Sequence, residues 1–158
     1  MNDKPSPEEA ALWQRRLASQ ANNRAWTLAE QPARSAAEDE EMLQAAHAAA
    51  YFWRFVGNAR NQAHAAQLLA HAYALLKLPE PAAYYWAKCE PLLLSGDAEP
   101  WERAMAEAVR ANIAAARGDA LGHARHYREA QLLVAALADA DDRAMVETTL
   151  SVVPAPNG

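Results

Sequence analysis

The sequence predicts an all-α protein in which about seven helices pack as stacked antiparallel pairs. The chain contains 41 alanines but only ten valines, isoleucines and threonines, and alanine favours helices whereas β-branched residues favour strands. Residues that cap helices recur along the whole chain, and the connections between helices are short, which forces neighbouring helices to run antiparallel. We therefore expect a single domain over residues 1–158, with frayed ends at 1–6 and 153–158.

Capping residues mark where most of the helices begin. Two Ser-x-x-Glu capping boxes, starting at Ser6 and Ser35, open the first two helices, because serine and glutamate each bond the other's backbone amide. Asn58, Asp119 and Asp139 can cap the third, sixth and seventh helices. With their caps, the predicted helices span about 6–30, 35–56, 58–77, 81–91, 100–118, 119–137 and 139–152.

Prolines and glycines mark the remaining boundaries. Pro81 and Pro100 can open the fourth and fifth helices, since the first helical turn does not need a backbone N–H. Pro91 should end or kink the fourth helix, because proline cannot donate the i→i−4 hydrogen bond. Gly57 should cap the second helix in the left-handed conformation, and Gly118 should end the fifth.

Composition limits the partners and the compartment. The net charge is −5 and the 15 basic residues are scattered, so we do not expect a nucleic-acid partner, which requires clustered cations. No run approaches the roughly 18 apolar residues of a membrane span, and the N-terminus lacks the apolar core of a signal peptide. The single cysteine, Cys89, cannot form an internal disulfide, which favours a reducing compartment. We expect a cytoplasmic protein without membrane contact.

An internal repeat covers the third to sixth helices. Small and large residues alternate across the third and fourth helices, in the order Leu69, Ala70, Tyr73, Ala82, Trp86 and Cys89. Advancing by 41 residues carries Trp86 to Tyr127 and Cys89 to Ala130, so large and small positions coincide. Since Cys89 falls on a small position of this pattern, we interpret it as a core residue rather than a nucleophile.

The repeat pattern resembles the tetratricopeptide repeat over about residues 58–137, which implies helix pairs stacked as a short α-solenoid. The offset exceeds the family's period of about 34 residues because of the long connection before Pro100. His123 and Arg110 replace the family's alanine and leucine. Residues 38–53, EDEEMLQAAHAAAYFW, also resemble small uncharacterised bacterial proteins of this fold, which bring no established activity.

The resemblance implies a concave groove lined by the first helix of each pair. The residues that the repeat frame turns toward this groove are His64, Gln67, His71, Met105, Ala108 and Asn112. The lysines that some family members use to clamp a peptide carboxylate are absent from these faces. Because repeat folds commonly serve as binding surfaces, the resemblance implies a non-enzymatic interaction module with an unidentified protein or peptide partner and no cofactor.

An alternative function uses the histidines of the second and third helices. His47 and His71 lie at similar distances on either side of the turn at Gly57, so a tight hairpin could bring them and His64 to one region. Such a region could bind a small molecule or a metal ion. No Glu-x-x-His or His-Glu-x-x-His motif accompanies these histidines, so we expect no bound metal.

Four aromatic residues lie within five positions of the second helix: Tyr51, Phe52, Trp53 and Phe55. At 100° per residue, Tyr51 and Phe55 share a face, whereas Trp53 points nearly opposite. A surface helix normally has one apolar stripe, so one stripe cannot bury all four. Either this helix is sandwiched between its neighbours, or a second copy of the chain covers one aromatic face. We favour a homodimer.

Overall fold

The computed structural model describes residues 4–157, and all regular secondary structure in this part of the chain is helical. The predicted all-α class and the seven helices are therefore confirmed. The helices are α1 Pro7–Ala29, α2 Ala36–Val56, α3 Ala59–Leu75, α4 Pro79–Leu93, α5 Pro100–Arg117, α6 Ala120–Ala136 and α7 Ala140–Ser151.

The predicted caps form as the sequence indicates. The Ser6 hydroxyl accepts from the Glu9 amide, and the Glu9 carboxylate accepts from the Ser6 amide 2.8 Å away. Ser35 opens α2 through the same reciprocal pair of bonds. Asp119 and Asp139 accept hydrogen bonds from backbone amides of the first turns of α6 and α7. These bonds satisfy amides that the helices themselves leave unpaired.

The left-handed conformation predicted for Gly57 is wrong. Gly57 ends α2 in an extended conformation, with φ −92° and ψ 161°, because Asn58 begins the next helix immediately. Glycine is needed there for space, since a Cβ atom would lie 2.7 Å from the Trp53 carbonyl oxygen. Of the two alternatives for Pro91, the helix end is not formed, because α4 continues to Leu93, and the kink stays a prediction. Gly118, by contrast, ends α5 in the left-handed region at φ 74°.

The helices form stacked antiparallel pairs. Within the pairs, α1 packs on α2, α3 on α4, and α5 on α6, and α7 follows without a partner of its own. Between pairs, α1, α3, α5 and α7 contact one another in succession, while α2 and α4 pack against the next odd-numbered helix. The four odd-numbered helices therefore form one continuous layer of a short helical-repeat-like stack.

The main core lies between α3, α4 and α5. Trp86 is 9% exposed and packs among small residues of α3, including Ala70, and apolar residues of α5, with Tyr73 partly buried against the same cluster. Cys89 is fully buried in this cluster, and burial raises the pKa of its thiol to about 12. The predicted position of Trp86 and the packing role of Cys89 are both confirmed.

The C-terminal segment is held in place beyond the last helix. Val153 is buried, and the Pro154 carbonyl lies 2.7 Å from the ring nitrogen Nε2 of His123. The fraying predicted for 1–6 and 153–158 stays a prediction for the described residues, and at residues 1–3 and 158 it lies outside them. At the N-terminus Ser6 caps α1.

Candidate functional site

A cavity of about 360 Å³ opens on the layer of odd-numbered helices. We call it the tryptophan cavity, because Trp26 of α1, Trp53 of α2 and Trp101 of α5 line it. α3 contributes the floor of the cavity, and α7 contributes one edge. All four odd-numbered helices therefore line the same cavity. Three of the six residues predicted for the groove, His64, Gln67 and Met105, are among its lining residues.

Polar side chains pack against the rings of Trp26 and Trp53. Trp26 stacks on His71, with ring centroids 5.8 Å apart. The Arg15 guanidinium lies 5.9 Å from the centroid of the Trp53 ring, within the range of a cation–π contact. Tryptophans combine large apolar area with few rotatable bonds, so rings held in this way provide a preformed binding wall.

A buried carboxylate, that of Glu102, pairs with His64 at the floor of the tryptophan cavity. His64 Nε2 lies 2.6 Å from Glu102 Oε1, and the Glu102 side chain is fully buried. The other Glu102 oxygen accepts from the Glu99 amide at 2.8 Å, and Arg60 approaches Oε1 to 3.6 Å. Because a carboxylate accepts, His64 Nε2 donates, and in the neutral ring Nδ1 remains an acceptor.

Gln67 adds an unpaired amide one helical turn farther along α3. Its side chain lines the tryptophan cavity although the residue is only 2% exposed. Within the described residues Nε2 is a buried donor without a hydrogen-bond partner. An unpaired buried donor costs about 1–3 kcal/mol, and folded proteins contain few of them. The Gln67 amide is therefore a candidate ligand contact.

Amide side chains of α1 and α3 complete the polar part of the tryptophan cavity. Asn22 and Asn23 line it from α1, and Asn61 lines it from the first turn of α3. Glu30 lies at the same surface of α1, and burial raises the pKa of its carboxyl group above the usual value. The tryptophan cavity thus combines aromatic walls with several side-chain amides and the carboxyl group of Glu30.

The predicted groove residues divide into two sets. His64, Gln67 and Met105 line the tryptophan cavity. His71 and Asn112 instead lie buried between α3 and α5, where Asn112 Nδ2 is 3.1 Å from His71 Nδ1. The placement of these two residues on the groove is therefore wrong, because they hydrogen-bond each other between the two helices.

Ala108 is also a core residue rather than a groove residue. It is fully buried in a cluster with residues of α6 and with Leu150 of α7. The predicted groove therefore ends before this position, because α7 packs directly on α5. The repeat pattern covered only residues 58–137, so it gave no position for α7.

The residues that sequence reasoning missed lie mainly outside its repeat frame. Trp26 and Asn22 of α1 were not considered, because the first helix pair does not follow the repeat spacing. Trp53 was grouped with the self-association residues, but its ring lines the tryptophan cavity instead. The spacing of Asn22, Trp26 and Glu30, four residues apart, places them on one face of α1 and could have identified this wall.

The three histidines of the alternative hypothesis have separate partners. His47 Nε2 lies 2.8 Å from the Tyr73 hydroxyl, His64 bonds Glu102, and His71 pairs with Asn112. Among residues 4–157 no three His, Cys, Asp or Glu side chains form a group that could hold a metal ion. His47 and His64 line different cavities, and His71 is buried.

An aromatic patch remains on the outer surface of α2. Tyr51 and Phe55 are 56% and 58% exposed, and their rings meet edge to face with centroids 5.1 Å apart. Phe52 is partly buried and contacts Tyr51 in the same way. Beside this patch, a cavity of about 770 Å³ lies between α2, α3 and α4, with Arg54 and Lys88 among its lining residues.

Comparison with known protein families found no matching family model, and neither the curated proteins nor the solved structures contained a match. No helix within residues 4–157 has the combination of length and apolar character needed to cross a lipid bilayer.

Proposed function

We propose that this protein is a non-enzymatic interaction module of the tetratricopeptide type that binds a peptide segment of a cytoplasmic partner protein in the tryptophan cavity. The observation that carries the proposal is the meeting of Trp26, Trp53 and Trp101 around a floor that contains the unpaired Gln67 amide. Apolar walls with a few placed polar groups are typical of ligand sites. Tryptophan is also among the residues that contribute most to binding energy.

The charges around the tryptophan cavity support a peptide over a nucleic acid. No Lys or Arg occurs among the described residues that line it, and a phosphate backbone requires such cations. The Asn22, Asn61 and Gln67 amides can both donate and accept hydrogen bonds, as a peptide segment requires.

Selection of a displayed library of random dodecapeptides tests the proposal. We expect enriched peptides with micromolar affinity, and we expect Trp101→Ala to weaken their binding at least tenfold, as for a central aromatic contact. Asn23→Ala, at an exposed position of the lining, should weaken binding less without affecting the fold. Trp13→Ala is the control, because Trp13 is an exposed tryptophan of α1 outside the cavity lining. Peptides that bind the wild type and Trp101→Ala equally would contradict the proposal.

A second candidate property is self-association through α2. The exposed Tyr51–Phe55 pair supports it, because exposed aromatic patches commonly mark interfaces. Light scattering coupled to size exclusion should give a mass near twice the 17.3 kDa of one chain. Tyr51→Glu with Phe55→Glu should return the mass to that of a monomer. A monomeric mass for the wild-type protein at micromolar concentration would refute the dimer.

A further inference from the structure

We infer that the tryptophan cavity selects a side-chain amide, that of asparagine or glutamine, at the centre of the bound peptide segment. This inference rests on the proposed function and specifies the ligand chemistry of the same site. It follows from two groups on one face of α3, His64 and Gln67, which are three residues apart and both line the tryptophan cavity.

The two groups present complementary hydrogen-bonding atoms. Glu102 accepts from His64 Nε2, so Nδ1 of the neutral ring offers a lone pair. Gln67 Nε2 is a buried donor without a hydrogen-bond partner among the described residues. A ligand that satisfies both groups must itself accept at one atom and donate at another. A side-chain amide does this through its oxygen and its NH₂ group.

Charged and aliphatic peptide side chains satisfy only part of this arrangement. A carboxylate only accepts, so it would set its lone pairs against those of His64 Nδ1, and no described Lys or Arg of the lining balances its charge. An ammonium or guanidinium group could rest on the tryptophan faces, but it has no acceptor for Gln67 Nε2. An aliphatic side chain would fill the space between the rings and leave both polar groups unpaired.

An array of degenerate octapeptides with one fixed central residue tests this selectivity. Binding of the fluorescently labelled full-length protein should be about 5–100-fold stronger for peptides centred on Asn or Gln than for those centred on Asp, Glu or Leu, as expected when a buried polar group gains or loses its partner. Gln67→Met keeps the length of the side chain but removes its amide, so this preference should disappear. Gln62→Met is the matched control, because Gln62 is an exposed residue of α3 that lines the other cavity.

The outcomes separate this inference from the proposed function. If the protein binds none of the peptides, whatever their central residue, both the inference and the proposed function would be overturned. Binding without an amide preference, or with a preference for Lys or Arg, would overturn the inference and leave the peptide site intact. An amide preference that persists in Gln67→Met, with circular dichroism showing a folded variant, would also overturn it. An amide preference that is lost in Gln67→Met and kept in Gln62→Met would support it.

Discussion

Replacing Trp86 by alanine should lower the free energy of unfolding by about 3–5 kcal/mol, the usual range for deleting a buried aromatic side chain. Trp86 is 9% exposed at the junction of α3, α4 and α5. Most of its buried neighbours on α3, such as Ala63, Ala66 and Ala70, are alanines. These short side chains cannot move far enough to fill the cavity, so we expect the upper part of that range.

Urea denaturation followed by circular dichroism measures this loss. Trp13→Ala provides the control, because Trp13 is 58% exposed on α1, and surface substitutions change stability by less than about 0.5 kcal/mol. A Trp86→Ala loss below about 1 kcal/mol would fall outside the range for buried aromatics, and would show that α3, α4 and α5 do not pack around this ring.

Acidification should destabilise the protein through His71. The ring is fully buried, and burial, aided by the charge of Arg34, lowers the pKa of His71 to about 3. Below the ordinary pKa near 6.5, the unfolded chain binds a proton that the folded chain does not, so stability falls as the pH decreases toward 3. Between pH 7 and pH 4 this difference amounts to roughly 3 kcal/mol.

The comparison of His71→Phe with the wild type isolates this contribution. Phenylalanine keeps a ring beside Trp26 but cannot take up a proton, so the variant should lose less stability between pH 7 and pH 4. Carboxylates whose pKa values are lowered, such as those of Glu9 and Glu38, contribute to acid sensitivity equally in both proteins. Parallel stability profiles of the two proteins would mean that His71 does not titrate on unfolding.

The helices could be predicted because their signals are local. Each capping side chain bonds an amide two or three residues away, so Ser6, Ser35 and Asp119 act independently of the rest of the fold. The error at Gly57 arose where a group beyond the helix itself matters. The extended backbone at Gly57 depends on how α3 starts, and α4 extends past Pro91 although this residue donates no helical hydrogen bond.

The candidate site was predicted only in part, because it depends on the distance between helices. Helical periodicity places His64, Gln67 and Met105 on the correct faces. Helical periodicity does not give the distance between α3 and α5. This distance determines whether His71 and Asn112 are buried as a hydrogen-bonded pair. The tryptophan cavity also draws on α1, α2 and α7, whose positions follow from packing rather than from the repeat.

The buried thiol of Cys89 can report how often the core between α3, α4 and α5 opens. The side chain is 0% exposed, and its pKa of about 12 leaves almost no thiolate at neutral pH. An alkylating reagent therefore reaches the sulfur only in molecules whose α3–α4–α5 core has separated, and its rate reports how often this occurs. While this core is packed, Cys89 does not react. A cysteine introduced at a surface position can therefore be labelled selectively without replacing Cys89.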